Sequence, residues 1–76
     1  MRINVTLHSG LRSRLPPELQ GQTAIELPEG STLADLAGRL RMKDMLYAVG
    51  GSVEREWTRP LRDQDEVDVF VRAAGG

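Results

Sequence analysis

The chain has 76 residues, ten of them basic and eleven acidic, and no cysteine. This length holds one domain, and a chain so short buries only about 60% of the surface its unfolded form exposes, which leaves little interior for an enclosed active site. The near balance of charge, with no basic run beyond the spaced pairs Arg12/Arg14 and Arg39/Arg41, gives no footprint for nucleic acid, and the missing thiols remove disulfides, thiolate metal sites and a cysteine nucleophile.

Residues 2–8 alternate, with Ile3, Val5 and Leu7 on one side and Arg2, Asn4, Thr6 and His8 on the other, the period of a half-buried strand. His8, the single histidine, closes that strand on its polar side and has no second histidine or spaced carboxylate pair to complete a metal site, so it reads as structural or solvent-facing. Ser9 to Gly21, with Gly10, Pro16-Pro17 and Gly21, reads as a loop in which Leu11, Leu15 and Leu19 pin the chain to the core. Thr23, Ile25 and Leu27 then alternate with Gln22, Ala24 and Glu26 in a second strand, which would pair with the first across that long connection.

The stretch from Pro28 to Asp35 is a turn and a helix start, with Thr32 as cap and Asp35 three residues on in a capping-box arrangement. Leu33, Leu36, Ala37 and Leu40 make one apolar stripe, as a helix lying on a sheet requires. Met45 to Val49 is a third strand, Gly50-Gly51 suits a hairpin turn needing positive φ, and Val53 marks a short fourth strand. Leu61 should reach back into the core, and Asp63 to Asp65 should form a turn. In the final strand Val67, Val69 and Val71 face the core, while Glu66, Asp68, Phe70 and Arg72 face away. The pattern predicts an α+β domain, a mixed four- to five-stranded sheet with one main helix across it, over residues 1–72, followed by a flexible tail at 73–76. The apolar runs are strand-length and no leader pattern opens the chain, so the expectation is a cytoplasmic protein with no membrane span.

The tail ends on Gly75-Gly76. At an average glycine usage of about 7%, two such residues close a chain by accident in roughly one case in two hundred. The alternative is a carboxylate presented on a thin stalk for chemistry.

The order of elements, with Leu27-Pro-Glu-Gly-Ser-Thr-Leu-Ala-Asp-Leu36 before the helix, Asp63-Gln-Asp-Glu-Val67 before the last strand and Gly75-Gly76 at the end, resembles the β-grasp, ubiquitin-like sulfur carriers of the MoaD/ThiS type over nearly the whole chain. Three features depart from that pattern. Val49-Gly50-Gly51 stands where relatives have Val-Asn-Gly, which keeps the turn. Asp63-Gln64-Asp65 replaces Asp-Gly-Asp, which implies a different turn or strain at Gln64. Val71-Arg72 stands where many relatives have a proline pair.

The resemblance implies a carrier and not an enzyme: a separate ubiquitin-activation-like enzyme uses ATP to adenylate the Gly76 carboxylate, and a sulfur donor converts the acyl-adenylate to a thiocarboxylate. A sulfur-accepting synthase subunit is the implied client. The residues agree with this division of labour, since a carboxylate is a poor acceptor until activated and the chain has no phosphate-binding loop of its own. No cofactor or metal is expected on the chain, no catalytic residue is assigned, and neither nucleic acid nor membrane is an expected partner. Gly75, Ala74 and Ala73 are the expected tail-threading residues, and Phe70 and Arg72 the expected partner contacts, Phe70 because an outward aromatic is an interface anchor. Arg12, Arg14, Arg59 and Arg62 join Arg72 as charges able to steer an acidic partner, against a default of a solvated face. Trp57 is expected to cap one end of the core, and Asp63, Asp65, Glu66 and Asp68 to face solvent around a turn.

The implied client is molybdopterin synthesis, favoured by the long first loop, with the resemblance closest to the small, non-catalytic subunit of a molybdopterin synthase. The alternatives are a thiamin-type carrier and a ubiquitin-like modifier joined to lysines through Gly76. The single lysine, Lys43, argues against self-chains of such a modifier.

Overall fold

Alternating side chains on the strands and one apolar helical stripe leave a single way to bury both, the stripe against the sheet. The computed structural model describes residues 1–72 and has that arrangement. The elements are β1 (Arg2–Leu7), β2 (Gln22–Glu26), α1 (Leu33–Leu40), β3 (Leu46–Val49), β4 (Ser52–Val53) and β5 (Glu66–Phe70). They form a five-stranded sheet in the order β2-β1-β5-β3-β4. β1 and β5 run parallel in the middle, with Val5 opposite Val67 and Leu7 opposite Val69, and the other pairings are antiparallel. This is a β-grasp, ubiquitin-like arrangement, and the expected fold class holds.

The core is the inner face of the sheet against α1. Ile3, Val5, Val67, Val69 and Tyr47 from the strands meet Leu33, Leu36 and Ala37 from the helix, all at most 1% exposed. Each large apolar side chain so buried stabilises the fold by roughly 1.5–3 kcal/mol, the helix by its stripe rather than by its eight residues of intrinsic propensity. Its start is set by the capping box: the Asp35 backbone N–H donates to Thr32 Oγ1 at 3.3 Å and the Thr32 N–H donates to Asp35 Oδ2 at 2.8 Å. The Tyr47 hydroxyl, the one polar group among the largest buried side chains, donates to the Met42 carbonyl at 2.7 Å. Burial pushes its phenol up to about 12, because the charged form would lose its water.

Loop chemistry follows the residues. Gly50 and Gly51 hold φ of 61° and 88° in the β3–β4 hairpin, a turn that needs both positive. At Gly21, φ is 77° and an added Cβ would lie 2.7 Å from the Leu7 carbonyl oxygen, so glycine is required where the chain re-enters the sheet. Gln64 has φ 70°, so of the two expectations, a different turn or strain at this residue, it is the left-handed strain that the structure shows.

Two expectations fail. Residues 9–14 and 17–19 form short 3-10 turns, and these bury Leu11 and lay Leu15 partly against the core but leave Leu19 42% exposed. The turn at Pro17–Leu19 sets its leucine beside an open cleft bordered by Arg2, Asn4, Thr6, Gln22 and Ala24 on the outer face of the sheet, away from the interior. Val71 keeps the inward phase of β5 but lies beyond its last ladder pair, and it is 54% exposed. Alternation predicts a side, and burial also needs something to cover it.

Candidate functional site

The outer face at the end of β5 gathers the residues from which a site can be built. His8 is extended, at φ −107° and ψ 156°, and its backbone N–H donates to the Val69 carbonyl at 3.0 Å. That bond carries the parallel β1–β5 ladder one step past Leu7 and sets His8 beside Phe70. The two rings stack, with centroids 4.4 Å apart and planes 11° from parallel, an arrangement in which the imidazole covers one face of the phenyl ring. His8 Nε2 also lies 2.8 Å from Asp68 Oδ1, with the two side chains 36% and 31% exposed. On the other flank Leu46 of β3 is paired with Phe70 in the antiparallel register, so the aromatic sits between an imidazole and an aliphatic side chain.

Phe70 is therefore outward, as its phase predicted, and half-buried. It is not isolated among charges, since its own sheet neighbours shield it in part. Arg72 is exposed, and with Met45, Leu46, Glu54, Arg55 and Trp57 it borders an open groove of about 320 Å³. Trp57 packs edge-on against Tyr47, with centroids 5.5 Å apart at 72°, and stays 40% exposed. It covers the rim of the core as expected. Arg59 is held by Glu54 at 3.1 Å, which takes one steering cation out of the set. Asp63 accepts from the Arg2 N–H at 2.7 Å and Asp65 from the Arg62 N–H at 2.8 Å, so both brace the turn. Asp68, grouped with them in sequence, faces His8 instead.

Ala73, Ala74, Gly75 and Gly76, the tail-threading and reactive positions expected from sequence, lie outside the described residues. Among the described residues no group of three or more His, Cys, Asp or Glu side chains is placed to hold a metal ion. No described helix is long and apolar enough to cross a membrane. What the described residues of the site offer chemically is recognition: an aromatic anchor, a carboxylate–imidazole pair and an exposed guanidinium at the rim.

His8 and Asp68 are the residues that sequence reading undervalued. Each is in the outward phase, His8 at the end of the first strand and Asp68 in the middle of the last, the one signal available. Only the parallel pairing of strands 60 residues apart brings them together.

No family model matches the chain, and no curated protein matches it. Solved structures do. A protein described as molybdopterin converting factor subunit 1 from Pyrococcus furiosus superimposes with a TM-score of 0.77 at 24% identity, covering 95% of this chain and 98% of that one. SAMP1 from Haloferax volcanii gives 0.71 at 12% identity, and a chain from the complex of molybdopterin-converting factor subunits 1 and 2 of Helicobacter pylori 26695 gives 0.69 at 17%, each over 100% of both chains. At these identities the likeness is one of fold, and it shows that the five-stranded sheet with its crossing helix is the β-grasp, ubiquitin-like fold that these proteins share.

Proposed function

We propose that the chain is a sulfur carrier whose Gly76 carboxylate is adenylated by a ubiquitin-activation-like partner enzyme and then converted to a thiocarboxylate. In the first step a carboxylate oxygen attacks the α-phosphorus of ATP and pyrophosphate leaves. In the second, a sulfide donor attacks the acyl carbon, a C–S bond forms, the C–O bond to AMP breaks, and AMP leaves. The protein supplies the acyl group and the docking surface, and the partner supplies the catalysis.

The observation that carries this reading is the placement of β5. It runs through the middle of the sheet and ends at Phe70, so a half-buried outward aromatic with an exposed Arg72 beyond it stands six residues before Gly76. Six extended residues span at most about 20 Å, so a partner holding this face has the end of the chain within reach of one active site. Glycine at 75 and 76 has no Cβ to obstruct a narrow channel. The favoured client is molybdopterin synthesis, in which the carrier would be the small subunit of a two-subunit synthase. The names of the Pyrococcus and Helicobacter proteins, and the complex in which the latter was solved, support that choice.

The test is intact-mass spectrometry of the purified chain before and after incubation with the adenylating enzyme, ATP and sulfide. Exchange of oxygen for sulfur at Gly76 adds about 16 Da. High-mass adducts would instead point to a protein modifier, the reading supported by the likeness to a Haloferax volcanii chain described as small archaeal modifier protein 1, and an unchanged mass would point to a passive binding module. A side chain at Gly75, as in Gly75→Val, should abolish the gain while leaving the thermal melt unchanged.

A further inference from the structure

The His8–Asp68–Phe70 cluster has no part in holding the core, since all three side chains lie on the outer face. Yet it is more ordered than a solvated face requires. The carboxylate accepts only, so in the neutral ring the Nε2–H must be the donor at 2.8 Å. That commits the tautomer and leaves Nδ1 as an acceptor. Among the described residues Nδ1 has no hydrogen-bond partner, and no side-chain nitrogen or oxygen lacking one is buried, so Nδ1 is not sealed from solvent in a side chain that is about a third exposed. The stack on Phe70 at 4.4 Å and 11° then fixes the ring's plane as well as its tautomer.

We propose that His8 is the specificity-determining residue of this docking face: held by Asp68 and Phe70, its neutral ring presents Nδ1 as an oriented acceptor that an adenylating partner must meet with an N–H or O–H donor while its apolar surface covers Phe70 and Leu46. The inference rests on the carrier reading for the identity of the partner. The cause of selectivity is the cost of mismatch. A partner offering only apolar surface would strip water from Nδ1 without replacing the hydrogen bond, and one offering an acceptor would add repulsion. A carbon ring at position 8 would keep the stack and lose the selection.

Two variants and two readouts test this. The probe is the ubiquitin-activation-like adenylating enzyme of the same organism, with ATP and sodium sulfide, and thiocarboxylate formation is followed by intact mass. His8→Phe preserves an aromatic on Phe70 but removes the acceptor, and it should raise KM about tenfold with kcat within about twofold, because the chemistry at Gly76 is untouched. Asp68→Ala frees the tautomer and should raise KM in the same direction by a smaller factor. Long-range proton–nitrogen NMR of the isolated wild-type chain should show the Nε2–H tautomer in the neutral ring, and Asp68→Ala should admit the other. An unchanged or lower KM for His8→Phe, or a dominant Nδ1–H tautomer in the wild type, overturns the assignment. If the wild-type chain gains no sulfur, the carrier reading itself falls and takes the partner with it. If it gains sulfur and His8→Phe is equally efficient, only the role of His8 falls.

Discussion

On the inner face of the sheet Ile3, Val5, Val67, Val69 and Tyr47 are at most 1% exposed, whereas on the outer face the same three strands carry Asn4, Thr6, Leu46, Asp68 and Phe70, all partly open to solvent. The inner face is decided by burial: any well-packed apolar set of the right volume would serve it. The outer face contributes little to stability and yet holds a directed hydrogen bond and a ring stack. Where burial does not select residues, order of this kind marks a surface shaped for something else, and here that surface adjoins the strand that leads to Gly76.

The comparison makes a sharp prediction about Leu36→Ala and Phe70→Ala. Leu36, 0% exposed under the sheet, should cost about 3 kcal/mol when truncated, a large share of what so small a domain can hold, read as a drop in the denaturation midpoint. Phe70 should cost about 1 kcal/mol, the stack and part of its burial, while raising the KM for thiocarboxylation more than any other outer-face truncation. If Phe70→Ala destabilised the fold as much as Leu36→Ala, the outer face would be core and the division would break.

Tyr47 gives the next largest effect and tests the inner face through pH. Its folded-state value is raised to about 12 from the ordinary 10.0. Below pH 10 the phenol is neutral in both states and folding is unaffected. Between pH 10 and about 12 the unfolded chain ionises and the folded one resists, so stability falls as pH rises through that window, by on the order of 2–3 kcal/mol. Equilibrium denaturation of wild type and Tyr47→Phe across this range should show the decline in wild type and a much weaker one in the variant. Equal slopes would mean that the phenol is wetter than its burial implies.

Thr32→Ala should cost about 1 kcal/mol through loss of the helix cap, affecting both faces only indirectly. Smallest is Gln64→Gly. Relief of the left-handed φ of 70° is partly offset by the greater freedom of glycine in the unfolded chain, and the melt should rise by less than about 1 kcal/mol in equivalent stability. It should leave KM unchanged, because Gln64 sits at the far end of β5 from Phe70.

Much of this architecture is legible in the sequence because its signals are local. The period-two alternation of Ile3, Val5 and Leu7, the stripe from Leu33 to Leu40, the Thr32–Asp35 cap, the Gly50-Gly51 turn and the left-handed Gln64 each follow from sterics and hydrogen bonding within a few residues. The outward phase of Phe70 belongs to the same class. What the chain could not disclose was anything that depends on which strands become neighbours. The parallel pairing of β1 with β5 set His8 against Phe70 and Asp68, the path of the Pro17–Leu19 turn set Leu19 beside the outer face instead of the core, and the end of the ladder at Phe70 left Val71 uncovered. Alternation tells which way a side chain points, but contact across 60 residues is decided only when strand order and register are chosen by the packing of the whole sheet against its helix.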